Sequence, residues 1–206
     1  MSNKNKIYAG VLFVILFPFK AISLKAQETG SAELKKAGEY SLVLYTGGGL
    51  SYYTPQPGVP ENIETKTNLF GICSTFRLMW QPDHLLRVGI ETGKIPFYSY
   101  TIRDNNYSGE LKLSAIPVLL VWSMPITKKF NVFIGYGYYL LKSKLDYAGK
   151  TNSSAWSIGW NAAASYIHPV SENVGIAGEL KWMESSNAKN TVLIFQLQLA
   201  WKFLKW

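Results

Sequence analysis

The chain has 206 residues, which accommodates one domain with short extensions. Aromatic residues reach 15% and charged residues only 17%, yet the mean hydropathy is +0.01, so apolar and polar side chains are interleaved rather than clustered. That patterning suits membrane-crossing strands better than membrane-crossing helices. The formal charge of +8 would suit a nucleic-acid partner, but half of it belongs to the amino-terminus.

Residues 1–26 read as a secretory signal peptide. Asn3 to Lys6 is a basic opening, Ile7 to Phe19 an apolar stretch, and Ser23-Leu24-Lys25-Ala26 offers a cleavage site after Ala26. The apolar stretch contains Pro18 and is too short for a spanning helix, which needs ~20 residues. Removing it takes away Lys4, Lys6, Lys20 and Lys25 and no acid, so the net charge falls from +8 to +4. A nucleic-acid role loses its main support, and the remaining bias is compatible with anionic lipid headgroups. Residues 27–39 are polar and aperiodic and read as a short periplasmic leader; residues 40–206 form the barrel domain described next. The single cysteine, Cys73, cannot form an intramolecular disulfide and is expected as a small packed residue on the inner face of a strand.

Eight alternating segments follow, each with the two-residue period of a strand. The first, about Tyr40 to Tyr53, sets Tyr40, Leu42, Leu44, Leu50 and Tyr52 against Ser41, Gly47, Gly49 and Ser51. The second, about Leu69 to Trp80, sets Phe70, Ile72, Phe76, Leu78 and Trp80 against Gly71, Cys73, Thr75 and Arg77. The third, about Leu85 to Pro96, sets Leu86, Val88 and Ile90 against Arg87, Gly89, Glu91 and Gly93. The fourth, about Leu111 to Trp122, is apolar on both faces, which leaves its sidedness open, and Pro117 predicts a bulge or a local break in its ladder.

The fifth, about Phe130 to Leu141, sets Phe130, Val132, Ile134, Tyr136 and Tyr138 against Asn131, Gly135 and Gly137. The sixth, about Ala155 to Tyr166, sets Trp156, Ile158, Trp160, Ala162 and Tyr166 against Ser157, Gly159, Asn161 and Ser165. The seventh, about Val174 to Met183, sets Val174, Ile176, Leu180 and Trp182 against Ala177, Glu179 and Lys181. The eighth, Thr191 to Trp206, sets Leu193, Phe195, Leu197, Leu199, Trp201 and Phe203 against Gln196, Gln198 and Lys202. Trp206 shares the parity of the polar set. Either Leu204-Lys205-Trp206 leaves the ladder or a bulge restores the phase.

Residue choice decides which face points inward. Glycines crowd the polar faces, where a narrow eight-stranded interior has little room, while bulky aromatics lie on the other face, where lipid sets no volume limit. A soluble, lipid-binding eight-stranded barrel would reverse this. Connections alternate between short (Gln81–His84, Ser123–Lys129, Pro169–Asn173) and mostly longer, polar ones (Thr54–Asn68, Phe97–Glu110, Lys142–Ser154, Glu184–Asn190). Short periplasmic turns and longer extracellular loops alternate in this way in membrane barrels. Tyr40, Trp80, Trp122, Phe130, Tyr166 and Trp201 fall at the short-turn ends as a periplasmic aromatic girdle, and Tyr52, Trp156 and Trp182 near the long-loop ends. The sequence therefore predicts an all-β, eight-stranded, antiparallel up-and-down transmembrane β-barrel in the outer membrane of a Gram-negative bacterium, preceded by a signal peptide.

Arg77, Arg87, Glu91, Glu179 and Lys181 are expected in the lumen, where charges must be paired or hydrated. Arg77 directly opposite Arg87 would be unfavourable, so the preferred register shifts the hairpin by two residues, centres its turn on Asp83 and leaves Arg77 diagonal to both Arg87 and Glu91. The structural reading is a salt-bridged plug; the alternative is a gated ion path.

The stretches LSAIPVLLVW (113–122) and KFNVFIGYGYYLLKSKL (129–145) resemble the PorT-like outer-membrane β-barrel family of Bacteroidetes, which tends to pair an Ile-Pro, Leu-rich strand with a Gly-aromatic strand ending in a polar loop. The resemblance covers about residues 40–206. It implies a monomeric eight-stranded outer-membrane barrel, brings no catalytic motif, and would allow a place in a secretion or surface-assembly system.

Two eight-stranded barrel families are enzymes on lipid A, and such chemistry needs a nucleophile or base, usually a histidine with a serine or an acid, at the outer-leaflet end. Here the only histidines, His84 and His168, fall at the periplasmic end. No metal cluster, phosphate loop or nucleotide fingerprint is present in the sequence, and Gly47-Gly48-Gly49 has no following helix or lysine. No catalytic, cofactor or metal residue is expected. The expected role is structural, or presentation of loops, with Tyr98, Tyr100, Arg103, Asp104, Asn105, Asn106 and Tyr107 as candidate contacts. Expected partners are outer-membrane lipids and lipopolysaccharide, the assembly machinery during insertion, and a protein bound through the loops.

Overall fold

The computed structural model describes residues 40–54, 64–82, 86–104, 107–146, 149–186 and 190–206. The signal peptide and leader expected over 1–39 lie outside the described residues. Nine strands are described: β1 (Ser41–Tyr53), β2 (Glu64–Asn68), β3 (Phe70–Gln81), β4 (Arg87–Asp104), β5 (Tyr107–Pro125), β6 (Phe130–Asp146), β7 (Lys150–Pro169), β8 (Val174–Ser185) and β9 (Asn190–Lys205). The order β4-β3-β1-β9-β8-β7-β6-β5 closes on itself through the β4–β5 pairing, so eight antiparallel strands form a ring. Closure matters physically: it leaves no ring strand with an unpaired edge, which a hydrocarbon environment would not tolerate.

β2 is the extra strand. It pairs with β4 from Asn68↔Ser99 to Glu64↔Arg103, beyond the point where β3–β4 pairing stops at Ser74↔Lys94. The connection expected over Thr54–Asn68 thus ends as ladder. The same correction applies to Phe97–Glu110 and Lys142–Ser154, where pairing runs on to Asp104↔Tyr107 and Asp146↔Lys150. Above the apolar belt the outward face turns polar, as at Lys112, Lys142 and Lys144, while Tyr98, Leu113 and Leu141 still pack against the core, so the apolar-out pattern that marks a membrane strand is lost while the backbone pairing continues. As a result β4 to β7 have 18, 19, 17 and 20 residues, against 13, 12 and 12 for β1, β3 and β8. A tilted spanning strand needs only ~9–11. One side of the barrel is a tall wall.

The open question about the fourth segment is answered by burial. Ala115, Leu119 and Val121 are buried in the lumen, whereas Val118 and Leu120 are exposed outside. Pro117 pairs in register with Tyr139 of β6, but the β4–β5 ladder lacks its Gly93 and Lys94 pairs there, so the break lies on the β4 side, where proline has no N–H to give. A separate bulge falls at Phe97, between Pro96↔Ser114 and Tyr98↔Leu113.

Glycine and small polar residues do not account for the whole lumen. Tyr45, Met79, Phe97, Leu119, Phe133, Tyr139 and Ile194 are all buried there. Glycines on neighbouring strands make their room: a Cβ on Gly159 would lie 2.7 Å from the Tyr139 ring. The interior is a packed core, with Cys73 among its buried residues.

The carboxy-terminal strand restores its phase by a bulge. Leu42↔Leu204 is followed by Val43↔Lys202, so Phe203 is the additional residue. Trp206 then exchanges two backbone hydrogen bonds with Tyr40, at 2.9 and 3.0 Å, and its ring stacks on Tyr40, which stacks in turn on Trp80.

Candidate functional site

Four charged side chains from three strands meet at the waist of the lumen. Arg77 on β3 donates from Nε to Glu91 Oε2 at 2.6 Å and from Nη1 and Nη2 to both oxygens of Glu179, at 2.7 and 2.9 Å. Lys181 on β8 places Nζ 2.5 Å from Glu91 Oε1 and 3.1 Å from Glu179 Oε1. Each carboxylate bridges both cations and each cation bridges both carboxylates. The result is a closed, electrically neutral ring of four, with every member at most 1% exposed.

Burying an ion without a partner is strongly unfavourable, so the remaining lone pairs also have to be filled. Gln196 on β9 donates to Glu179 Oε1 at 2.7 Å and Asn161 on β7 donates to Glu91 Oε1 at 3.3 Å. The Thr75 hydroxyl donates to Gln196 Oε1 at 2.9 Å and accepts from Gln198 at 3.3 Å. Beneath the ring the Arg77 guanidinium lies 4.1 Å from the centre of the Phe133 ring, with Tyr45 also within cation–π reach at 5.8 Å. Leu119 pairs directly opposite Glu91 and Ile194 opposite Lys181, and both are buried, as are Tyr139 and Met183. The charges therefore sit among buried apolar side chains.

Of the five luminal charges expected from sequence, Arg77, Glu91, Glu179 and Lys181 come together. Arg87 does not. It lines a cavity of about 220 Å³ at the short-turn mouth with Gln81, Asn131 and Lys202, and its Nε has no hydrogen-bond partner among the described residues. The expected hairpin register is also corrected: Arg77 sits directly opposite Glu91, not diagonal to it. Direct opposition pairs unlike charges, which the diagonal register only approximates.

Thr75, Asn161, Gln196 and Gln198 are not among the site residues expected from sequence. A usable signal exists for two of them, because Gln196 and Gln198 are amides on the inner face of an otherwise greasy strand. Gly47 and Gly49 have a geometric role no phosphate motif would suggest. β1 lies between β3 and β9, and Gly47 pairs with Thr75 on one side and Gln198 on the other. A Cβ at Gly47 would collide with the Leu197 carbonyl oxygen, and one at Gly49 with the Phe195 carbonyl oxygen. Only glycine allows β9 to approach this closely and its amides to reach Thr75 across β1.

Outside, the polarity is reversed. Ile72 is 82% exposed and Leu197 60%, and Phe76, Ile90, Ile134, Leu180 and Phe195 are exposed with them. A water-soluble barrel does not present such a surface; a lipid-facing one must. Trp80, Phe130, Tyr166 and Trp201 are exposed on this face near the short turns, and Tyr40 and Trp122 are partly so. His168 lies at the short-turn end of β7, and His84 is outside the described residues. Among the described residues no group of three or more His, Cys, Asp or Glu could hold a metal ion.

A closed antiparallel ring with an apolar exterior and a packed polar waist defines an integral outer-membrane β-barrel protein. No protein-family model matches the chain, and no curated protein matches it in sequence. Among solved structures it is similar to a major outer membrane protein from Thermus thermophilus, at 11% identity and a TM-score of 0.52, over 80% of this chain and 99% of that one. It is also similar to Ail, the attachment invasion locus protein of Yersinia pestis solved with the heparin analogue sucrose octasulfate (12% identity, TM-score 0.49, covering 82% and 100%). Neisserial surface protein A gives 12% identity and a TM-score of 0.41 over the same shares. At such identities the likeness concerns the fold alone.

Proposed function

We propose that this protein is a non-enzymatic outer-membrane barrel that is closed by its own side chains and works through the hairpins standing above the membrane. The observation that carries this reading is the tall wall of β4 to β7 over a lumen whose four waist charges are all paired. Once the charges at the waist are satisfied internally, the surface left for a protein partner is the pair of projecting hairpins, anchored at their base where Tyr98 packs on the buried Tyr53 at 4.9 Å and stacks on Tyr100 at 6.1 Å. In this reading Tyr40, Trp80, Trp122, Phe130, Tyr166 and Trp201 act as the periplasmic girdle, and Arg77, Glu91, Glu179 and Lys181 as a structural plug. The resemblance of 113–122 and 129–145, which lie in the β5–β6 hairpin, to PorT-like barrels supports a place in a secretion or surface-assembly system.

The membrane reading is tested by gel mobility and by carbonate extraction. The folded protein should migrate anomalously when unboiled and should stay with the membrane; recovery in the soluble periplasmic fraction would overturn it. The closed lumen is tested in a planar bilayer, where the protein should give no conductance steps, and steady unitary openings would restore the ion-path alternative. Pull-down from detergent-solubilised outer membrane, with the β4–β5 and β6–β7 hairpin tips shortened as the comparison, should lose its partner when the tips are lost.

A further inference from the structure

We infer that the outer wall of this barrel carries a binding groove for a phosphorylated glycolipid of the outer leaflet, lipid A, built from Lys94, Lys112, Lys142 and Lys144. This rests on the membrane-spanning reading of the barrel. The groove encloses about 500 Å³ and lies where β3 stops pairing with β4 and β2 has not yet begun. The wall is notched there by the bulge at Phe97. Its floor is apolar, with Phe70 and Ile72 of β3 and Ile116 of β5, and Phe70 and Ile72 are both exposed. The four lysines line the same groove from β4, β5 and β6.

The level of the lysines identifies the kind of ligand. Along the outer face of β6, Ile134, Tyr136, Tyr138 and Leu140 give way to Lys142 and Lys144. Along β5, Leu120, Val118 and Ile116 give way to Ser114 and Lys112. The ammonium groups therefore stand immediately above the apolar belt on the extracellular side, the depth at which lipid phosphates lie. On the opposite wall the same transition carries no lysine: Leu180 and Trp182 lead to Glu184 on β8, and Leu193 leads to Thr191 on β9. The positive patch is one-sided, which a general affinity for anionic headgroups does not require.

Carboxylates near the groove do not neutralise it. Glu110 lies 2.8 Å from Lys112, but both side chains are well exposed, and a solvent-exposed pair of this kind is weak. Asp146 shares a smaller adjoining cavity of about 290 Å³ with Lys144 and Lys150. Lys94, Lys142 and Lys144 have no ion-pair partner among the described residues. Lysine serves as a point charge for phosphate, and several such charges over three strands spaced ~4.8 Å apart span roughly 10 Å, wider than a single phosphate needs. A headgroup with more than one phosphate fits that width. The exposed Phe70 and Ile72, with Ile116 beside them, are continuous with the lipid belt and would be covered by acyl chains, which a free soluble polyanion does not supply.

The test uses the folded barrel in detergent, with bound lipid counted by native mass spectrometry after incubation with diphosphoryl lipid A, dephosphorylated lipid A or phosphatidylglycerol. The wild-type protein should retain one diphosphoryl lipid A at least tenfold more tightly than either other lipid, with affinity falling as salt rises. Lys94→Gln/Lys112→Gln/Lys142→Gln/Lys144→Gln should lose that preference, while Lys128→Gln in the β5–β6 turn keeps it. Equal retention of phosphatidylglycerol would replace the proposal with a general anionic-lipid surface. Undiminished binding by the quadruple variant would also overturn it. The comparison of phosphorylated with dephosphorylated lipid on the wild-type chain stands even where a variant does not fold. Heat-dependent gel mobility, read in parallel, separates failure of the groove from failure of the barrel.

Discussion

Lys181 and Lys142 are both lysines on strands of one barrel, and their surroundings set them apart. Lys181 points into the lumen, is 0% exposed and contacts Glu91 and Glu179. Lys142 points outward, lines the groove above the apolar belt and has no carboxylate partner among the described residues. In the lumen little water is left to solvate an ion, so each charge needs an opposite charge at hydrogen-bond distance. At the headgroup level water and lipid phosphates serve that purpose, so a charge there needs no internal partner. Charges settled inside the protein are tied to its fold; charges left open are free for the binding proposed above.

Removing one member of the ring has the largest expected effect. Lys181→Ala leaves the two glutamates facing only Arg77, and should lower the stability of the refolded barrel by about 3–5 kcal/mol in a urea titration followed by tryptophan fluorescence. Glu91→Gln keeps the shape but leaves two cations sharing one carboxylate, and should cost about 1.5–3 kcal/mol, seen as a lower melting point. An unchanged melt would mean that the ring contributes nothing net.

Gly49→Val tests the support of the ring rather than its charges. Forcing β1 and β9 apart at the Phe195 carbonyl should cost about 1–3 kcal/mol and slow the appearance of the heat-modifiable form on refolding. Arg87→Gln, at the short-turn mouth and outside the ring, should shift stability by no more than about 0.5 kcal/mol. Lys142→Gln should likewise leave urea stability within about 0.5 kcal/mol. If Lys142→Gln destabilised the barrel as much as Glu91→Gln, the contrast between settled and open charges would fail.

Much of this was legible in the chain. Leu193, Phe195 and Leu197 against Gln196 and Gln198 already separate lipid from lumen, and the same parity assigned Arg77, Glu91, Glu179 and Lys181 to one face. What parity could not supply was who meets whom. Arg77 and Glu179 lie 102 residues apart on strands that are not neighbours, with β1 and β9 between them in the ring. The register of Arg77 with Glu91 differed from expectation by a shift too small for alternation to detect. Arg87 shared the parity of the ring and still sat four residues too far toward the short turn to reach it.

The projecting hairpins were illegible for another reason. Over 142–146 and 150–154 the outward face turns polar, so the apolar-out pattern that marks a membrane strand is lost although the pairing continues. By itself, the sequence determined an antiparallel barrel with a greasy exterior, because a two-residue period between two unlike solvents is a local property of each strand. Only the tertiary structure decided the ring of four charges, the closeness of β1 to β9 at Gly47 and Gly49, the bulge that returns Trp206 to the outer face, and the groove of lysines at Phe97. Each of these depends on where closure brings separate strands, and that distance is set across the barrel rather than along the chain.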